Sequence, residues 1–224
     1  MKIAIFFIFF FSFAAATTTT SATFVFDSTG EPLRNGDEYY LSPPEAYGDA
    51  VTVIKSAAIW KETTSKSYCS LAMVKSNLLP NKWPTVISTP LNILHLSTHN
   101  SLTISFSHLP YNLCTNFSNN WVVISNSKSI GYPVMVGNAP EFRDAVVKGS
   151  FFIKPYRSGS GFESGSGDYY YKIVFCEEGN GECANVGVHM DNQQRKLLVV
   201  TKEKPGLVFK FEKVIRESLT SMAV

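Results

Sequence analysis

Hydrophobic and polar residues alternate over short runs along most of the chain, and turn-forming residues separate these runs. No long stretch keeps a helical period. The clearest runs predict strands at 23–26, 38–41, 50–54, 101–106, 121–124, 150–153, 169–175, 196–201 and 208–211. The pattern therefore predicts an all-β protein, and periodicity alone leaves a barrel and a sandwich equally open.

The first 22 residues follow a different pattern. Lys2 precedes an apolar stretch at 3–16 that is crowded with phenylalanine and has no polar face to pack as an amphipathic helix. A charged start, an apolar centre and a small-residue end are typical of a signal peptide, and the stretch is too short to cross a bilayer comfortably. Cleavage after Ala16 or Ala22 fits equally well. We expect a secreted, extracellular protein, with vacuolar delivery as an alternative and no membrane association after cleavage.

The rest of the chain is predicted to form one domain at 23–213, since this length can bury a single core. The Gly/Ser-rich stretch at 158–167 is interpreted as an exposed loop because a strand resumes directly after it. Few apolar residues could anchor 214–224, which is predicted to be a tail.

Four cysteines follow the predicted signal peptide, and an even number in a secreted chain indicates disulfides. Cys176 and Cys183 flank a turn-rich segment, so a local bridge between them is sterically easy. That pairing leaves Cys69 with Cys114. A zinc site needs paired short spacings or nearby histidines, and only one spacing here is short, so we expect no metal.

Charge and motif content exclude other classes of function. Lys and Arg number 20 against 18 Asp and Glu, with no long run of either sign, so nucleic acid is not an expected partner. The chain has no G-x-S-x-G elbow, phosphate-binding glycine loop or zincin motif, and no cysteine is expected to be free to pair with one of its histidines. We therefore predict that it is not an enzyme and uses no cofactor.

The stretch at 25–41, VFDSTGEPLRNGDEYYL, fits the pattern aliphatic-x-D-x-x-G-x-x-aliphatic-x(5)-Y-x-aliphatic. It resembles the signature of the plant Kunitz protease inhibitors, the soybean trypsin inhibitor family. Segments at 171–176, 186–188, 195–200 and 204–211 are also similar to that family. The resemblance implies a β-trefoil, a six-stranded barrel capped by three hairpins. It also implies the disulfide pairing given above, a monomer and a role in plant defence.

The resemblance implies inhibition through an exposed loop held in a substrate-like form. The matching loop residues are Ser88, Thr89, Pro90, Leu91, Asn92, Ile93 and Leu94. The family's scissile bond aligns with Asn92–Ile93, and Asn35 occupies the place of an amide that stiffens the loop. Turn statistics alone predict an ordinary turn asparagine at Asn35, because glycine follows it.

Trypsin-directed members of the family carry Arg or Lys where this chain has Asn92. A serine protease other than trypsin is therefore the expected partner, because the aspartate of a trypsin pocket would be left unpaired. If the register moves by one residue, Leu91 becomes the specificity residue and suits a chymotrypsin-like pocket.

Two alternatives remain open. The chain could be a non-inhibitory miraculin-like, storage or binding protein, or it could inhibit a cysteine protease through loops at 115–120 or 158–167. The tripeptide Asn116-Phe117-Ser118 predicts glycosylation at Asn116.

Overall fold

A computed structural model describes residues 23–44, 51–60, 67–76, 83–108, 118–125, 131–142, 145–156 and 169–215, of which 51–60 and 67–76 are described by their backbone. The predicted signal peptide, nearly all of the predicted tail and the loop at 158–167 lie outside these residues. Within the described residues, no helix is long and apolar enough to cross a membrane.

The described chain is built almost entirely of short strands, interrupted by one short helix. The strands are β1 (Glu38–Ser42), β2 (Val51–Trp60), β3 (Ser67–Ser76), β4 (Thr85–Ser88), β5 (Thr103–Phe106), β6 (Trp121–Val123), β7 (Tyr132–Val136), β8 (Gly149–Pro155), β9 (Tyr171–Glu177), β10 (Cys183–Met190), β11 (Lys196–Thr201) and β12 (Val208–Lys213). The helix α1 (Ala139–Phe142) follows β7.

Six of the strands close into a barrel. β1 pairs with β4 and β12, β4 pairs with β5, and β9 pairs with β8 and β12, all antiparallel. The ring closes between β5 and β8, where Leu102, next to β5, donates its backbone N–H to the carbonyl of Phe151 at 2.8 Å. Each barrel strand therefore has a neighbour on both sides, and the barrel has no free edge.

The other six strands form three hairpins that cap the barrel: β2–β3, β6–β7 and β10–β11. The second strands of these hairpins pair with one another, β3 with β7, β7 with β11 and β11 with β3. A six-stranded barrel with three mutually paired hairpins is a β-trefoil, so the predicted fold class is confirmed.

Inward-facing side chains of the barrel strands fill the core. Strand alternation places Ile87 and Ile104 inside, together with Ile153 and Ile173, each at most 1% exposed. Aromatic rings in edge-to-face contact extend the core towards the cap, with ring centres 5.2–6.2 Å apart. These rings belong to Phe106, Trp121, Phe151 and Phe175. This packing gives a rigid support for the loops outside the barrel.

Candidate functional site

The predicted inhibitory loop leaves the barrel at the end of β4. Ser88 is the last residue of β4 and pairs with Thr103 of β5, so the start of the loop is fixed by the sheet. At the other end, His95 forms a β-bridge with Arg34, and the N–H of Leu96 donates to the carbonyl of Leu33 at 2.8 Å. Both ends of the loop are therefore anchored to the barrel.

The side-chain amide of Asn35 lies inside the loop and bonds to its backbone at four points. Its Nδ2 donates to the carbonyl oxygens of Thr89, Leu91 and Ile93 at 3.2–3.3 Å. Its Oδ1 accepts the N–H of Thr89 at 2.8 Å. Because one amide holds carbonyls on both sides of Asn92, it restrains the backbone around the candidate scissile bond.

The turn that carries Asn35 is itself fixed by backbone bonds. The N–H of Asn35 donates to Leu94 O and that of Gly36 to Ile87 O, both at 2.9 Å. Gly36 adopts a φ of 84°, a left-handed conformation that glycine reaches without steric cost. A Cβ built on Gly36 would have no atom within 4 Å, so a side chain would not be crowded there. Glycine is favoured at this position by its positive φ.

Tyr39 in β1 supports the same turn from the core. Its hydroxyl oxygen accepts the N–H of Arg34 at 2.9 Å, and the side chain is 1% exposed. Burial raises the pKa of Tyr39 above its ordinary value, and the hydrogen bond from Arg34 offsets part of that rise. The tyrosine therefore stays neutral and acts as a fixed acceptor at the base of the turn.

The tip of the loop is open to solvent. Pro90, Leu91, Asn92 and Leu94 are exposed, and Ile93 is half-buried. Thr89 differs from the prediction of an exposed segment, because its side chain packs inward and is buried. Four side chains at the tip are thus available to a partner while the residue before Pro90 is anchored.

The backbone turns tightly at Asn92. The N–H of Ile93 donates to the carbonyl of Leu91 at 2.9 Å, which closes a three-residue turn centred on Asn92. The bond therefore links the nitrogen of the Asn92–Ile93 peptide to the carbonyl of Leu91, which precedes that peptide. The sequence pattern gave no indication of it, since any polar residue after an exposed Leu would look the same.

The structure contains the predicted bridge between Cys176 and Cys183. The two residues are paired across β9 and β10, with Cα atoms 4.0 Å apart. Cys69 lies in β3, but Cys114 falls outside the described residues, as does Asn116, so the second bridge and the glycosylation site remain predictions. In the described part of the chain, no three His, Cys, Asp or Glu side chains are grouped to hold a metal ion.

Comparison with known proteins shows the family of this chain and agrees with its fold. The model of the legume Kunitz family, described as trypsin and protease inhibitor, matches residues 25–213. Trypsin inhibitor B of Glycine max is 35% identical over 204 residues, covering 88% of this chain and 99% of that protein. The chain therefore belongs to the plant Kunitz family, whose members are protease inhibitors rather than enzymes.

Solved structures give the same result. Trypsin inhibitor 1 from Senna obtusifolia is 33% identical with a TM-score of 0.66, covering 91% of this chain and 95% of that one. The soybean trypsin inhibitor in complex with porcine pancreatic trypsin is 26% identical with a TM-score of 0.67, covering 86% of this chain and all of that one.

Proposed function

We propose that this chain is a secreted protease inhibitor that presents residues 88–94 as a substrate-like loop to a serine protease other than trypsin. The observation that carries the proposal is the Asn35 amide, which bonds to the backbone on both sides of Asn92. A loop already held in its bound shape loses little conformational entropy when it docks, so affinity comes from this preorganisation.

The same bonds would slow turnover of the loop by the target protease. If the protease cut Asn92–Ile93, Asn35 would still hold Leu91 O on one side and Ile93 O on the other. The new amino group at Ile93 would also stay beside Leu91 O, its present hydrogen-bond acceptor. The severed ends would therefore remain in position for resynthesis, because an intramolecular reaction between held groups has a high effective concentration.

A relative and the residues at the loop tip support the proposed class of target. The soybean relative is described in complex with a serine protease, porcine trypsin, which supports this class of partner. Asn92 carries no positive charge to pair with the aspartate in a trypsin pocket, so we exclude trypsin as the preferred target. Leu91, with 51% of its side chain exposed, suits an apolar pocket if it takes the specificity position.

Restoring a basic residue tests the scaffold. We expect Asn92→Arg to inhibit trypsin at least a hundredfold more strongly than the wild-type protein, because the guanidinium pairs with the pocket carboxylate. In that background, Asn35→Ala should weaken inhibition and speed cleavage of the loop. Asn180→Ala is the matched control, since this exposed asparagine bonds only locally to Glu177. Inhibition constants and cleavage rates are the measurements.

An Asn92→Arg protein that trypsin digests or ignores would reject the proposal and favour a non-inhibitory binding or storage protein. Secretion is tested separately by sequencing the amino terminus of the protein from its natural source. A first residue of Thr17 or Thr23 agrees with a cleaved signal peptide, whereas an intact Met1 does not.

A further inference from the structure

Exposed apolar side chains continue from the inhibitory loop across the neighbouring surface of the barrel. Phe24 is 52% exposed, Leu94 is 64% exposed and Tyr169 is 37% exposed. His95 and Phe26, which lie next to them, are half-buried. We call this series the aromatic ridge, and its members are Leu94, His95, Phe24, Phe26 and Tyr169. Large exposed aromatic groups in series are unusual on a monomer and are typical of contact surfaces.

Ring contacts and strand geometry place the members of the ridge on one face. Phe24 packs edge-on against His95 with ring centres 6.0 Å apart, and Phe26 packs against Tyr169 at 5.1 Å. Val25 is fully buried, so alternation along the extended backbone places Phe24 and Phe26 together on the outer face. The ridge therefore consists of two ring pairs on one face, between the loop and the residues that precede β9.

The backbone under the ridge is held firmly. The N–H of Val25 donates to Leu96 O at 3.0 Å, and the N–H of Leu33 donates to Val25 O at 2.8 Å. The N–H of Phe26 donates to the hydroxyl of Tyr171 at 2.8 Å. A partner would meet aromatic groups that are already in place, which lowers the entropy cost of binding.

The ridge lies on one defined side of the candidate scissile bond. Leu94 and His95 follow Asn92–Ile93 in the chain, so the ridge extends from the leaving-group side of the loop. We propose that the aromatic ridge is a second contact surface for the target protease and selects one whose leaving-group side is apolar. This inference rests on the proposed function.

The chemistry of the ridge defines that partner. The side chains of Leu94, Phe24 and Phe26 are hydrocarbons, and that of Tyr169 is largely aromatic. If a charged group of the protease were buried against these side chains, it would lose its water and find no partner, which costs free energy. The ridge therefore disfavours proteases that carry charged groups beside the leaving-group side of the cleft, and it favours apolar or aromatic surfaces there.

The test uses a protease that the wild-type protein inhibits, found in a panel of serine and cysteine proteases. Phe24→Ser and Tyr169→Ser are combined, and Tyr132→Ser is the matched control because Tyr132 is 38% exposed on β7, away from the ridge. We expect the double variant to raise the inhibition constant at least tenfold, mainly through faster dissociation. The control should change it less than twofold, with thermal unfolding confirming that all variants are folded.

Each outcome separates the ridge from the loop. If the wild-type protein inhibits a protease and the double variant inhibits it equally well, the ridge proposal is overturned and the proposed function stands. If no protease is inhibited, by the wild-type protein or by Asn92→Arg with trypsin, both fail. Sedimentation gives a third outcome: a wild-type dimer that the double variant dissociates, with an unchanged inhibition constant, would assign the ridge to a second copy of this chain.

Discussion

Thr89 buries a hydroxyl group beside the exposed tip of the loop. Its side chain is 7% exposed, and its Oγ1 has no hydrogen-bond partner among the residues that the structure describes. The backbone N–H and carbonyl of Thr89 both bond to Asn35, so only the hydroxyl is left without one. A buried polar group without a partner costs about 1–3 kcal/mol, which makes Thr89 a weak point of an otherwise well-bonded loop.

Replacing Thr89 with Val should therefore stabilise the protein. Valine keeps the branched shape and removes the unpaired hydroxyl, so we expect the free energy of unfolding to rise by about 1 kcal/mol. Denaturant unfolding measures this change.

Thr98 provides the control for this substitution. It is also buried, but its hydroxyl lies 3.4 Å from that of Thr23 and 3.1 Å from Nδ1 of His99. Thr98→Val should destabilise the protein by about 1 kcal/mol because it removes these bonds. A loss of stability in both variants would mean that the Thr89 hydroxyl has a partner, such as a buried water.

Asn35 illustrates how far sequence reasoning reaches at the site. The dipeptide with Gly36 predicts a turn, and the turn is present, with Gly36 at positive φ. The bonds from Asn35 to the loop span 54–58 residues, a distance that no local pattern encodes. Only the resemblance to a family placed this side chain in the loop. The inward side chain of Thr89 continues the alternation of β4, in which Thr85 and Ile87 are buried, but the prediction of an exposed loop from Ser88 onwards did not extend that alternation past the strand.

Two turns in different parts of the trefoil have the same construction. Asp27 and Asp191 each accept, on one carboxylate oxygen, backbone N–H groups from the second and fourth residues that follow, at 2.8–3.0 Å. The third residue after each aspartate has a positive φ, 86° at Gly30 and 61° at Gln194. Burial acts to raise the pKa of Asp191, but its hydrogen bonds, mainly from Arg195, outweigh this and lower it.

Only one of these turns uses the residue best suited to it. We expect Gln194→Gly to raise the free energy of unfolding by about 0.5–1 kcal/mol, since a side chain in the left-handed region is strained. Gly30→Ala should lower it by about 1 kcal/mol for the same reason. A Cβ at Gly30 would lie 3.7 Å from the Tyr169 ring, an ordinary contact, so the loss would come from the backbone.

Thermal or denaturant unfolding of the two variants gives the comparison. If Gln194→Gly lowers the free energy of unfolding, or Gly30→Ala raises it, the two turns are not equivalent despite their matching hydrogen bonds.

Strand prediction found eight of the twelve strands in the described residues and missed β3, β4, β7 and β10. The predicted strand at 196–201 has the same bounds in the structure, because its run is apolar and β-branched. β7 contains Pro133, which cannot donate to a ladder, and β10 contains Gly187 and polar residues, so neither was predicted. Residues 23–26 were predicted as a strand but make isolated bridges at Phe24 and Phe26 to two different segments.

Two buried tyrosines connect distant parts of the barrel. The hydroxyl of Tyr171 in β9 accepts the N–H of Phe26, which is 145 residues away, just as Tyr39 accepts the N–H of Arg34. Burial raises the pKa of Tyr171 above 10.0, and the bond from Phe26 offsets part of the rise. The folded protein therefore favours the neutral phenol more than the unfolded chain does.

This difference predicts how stability depends on alkaline pH. The stabilising contribution is complete below the ordinary pKa of 10.0 and is lost as pH rises through the higher folded value. Tyr171→Phe should make the decline in unfolding free energy above about pH 10 shallower. It should also lower stability at neutral pH by about 1 kcal/mol, because the Phe26 N–H loses its acceptor. An unchanged slope in denaturant unfolding between pH 9 and 11 would contradict this.

Closure of the barrel also bears on how long the folded chain survives in the presence of proteases. A protease binds its substrate as an extended strand whose backbone groups are free to pair with the cleft. In the closed ring of β1, β4, β5, β8, β9 and β12, those groups already have partners on both sides. A protease can cut a barrel strand only after the ring has opened. The lifetime of the folded protein is therefore set by how seldom the ring opens, and not by the number of cleavable bonds.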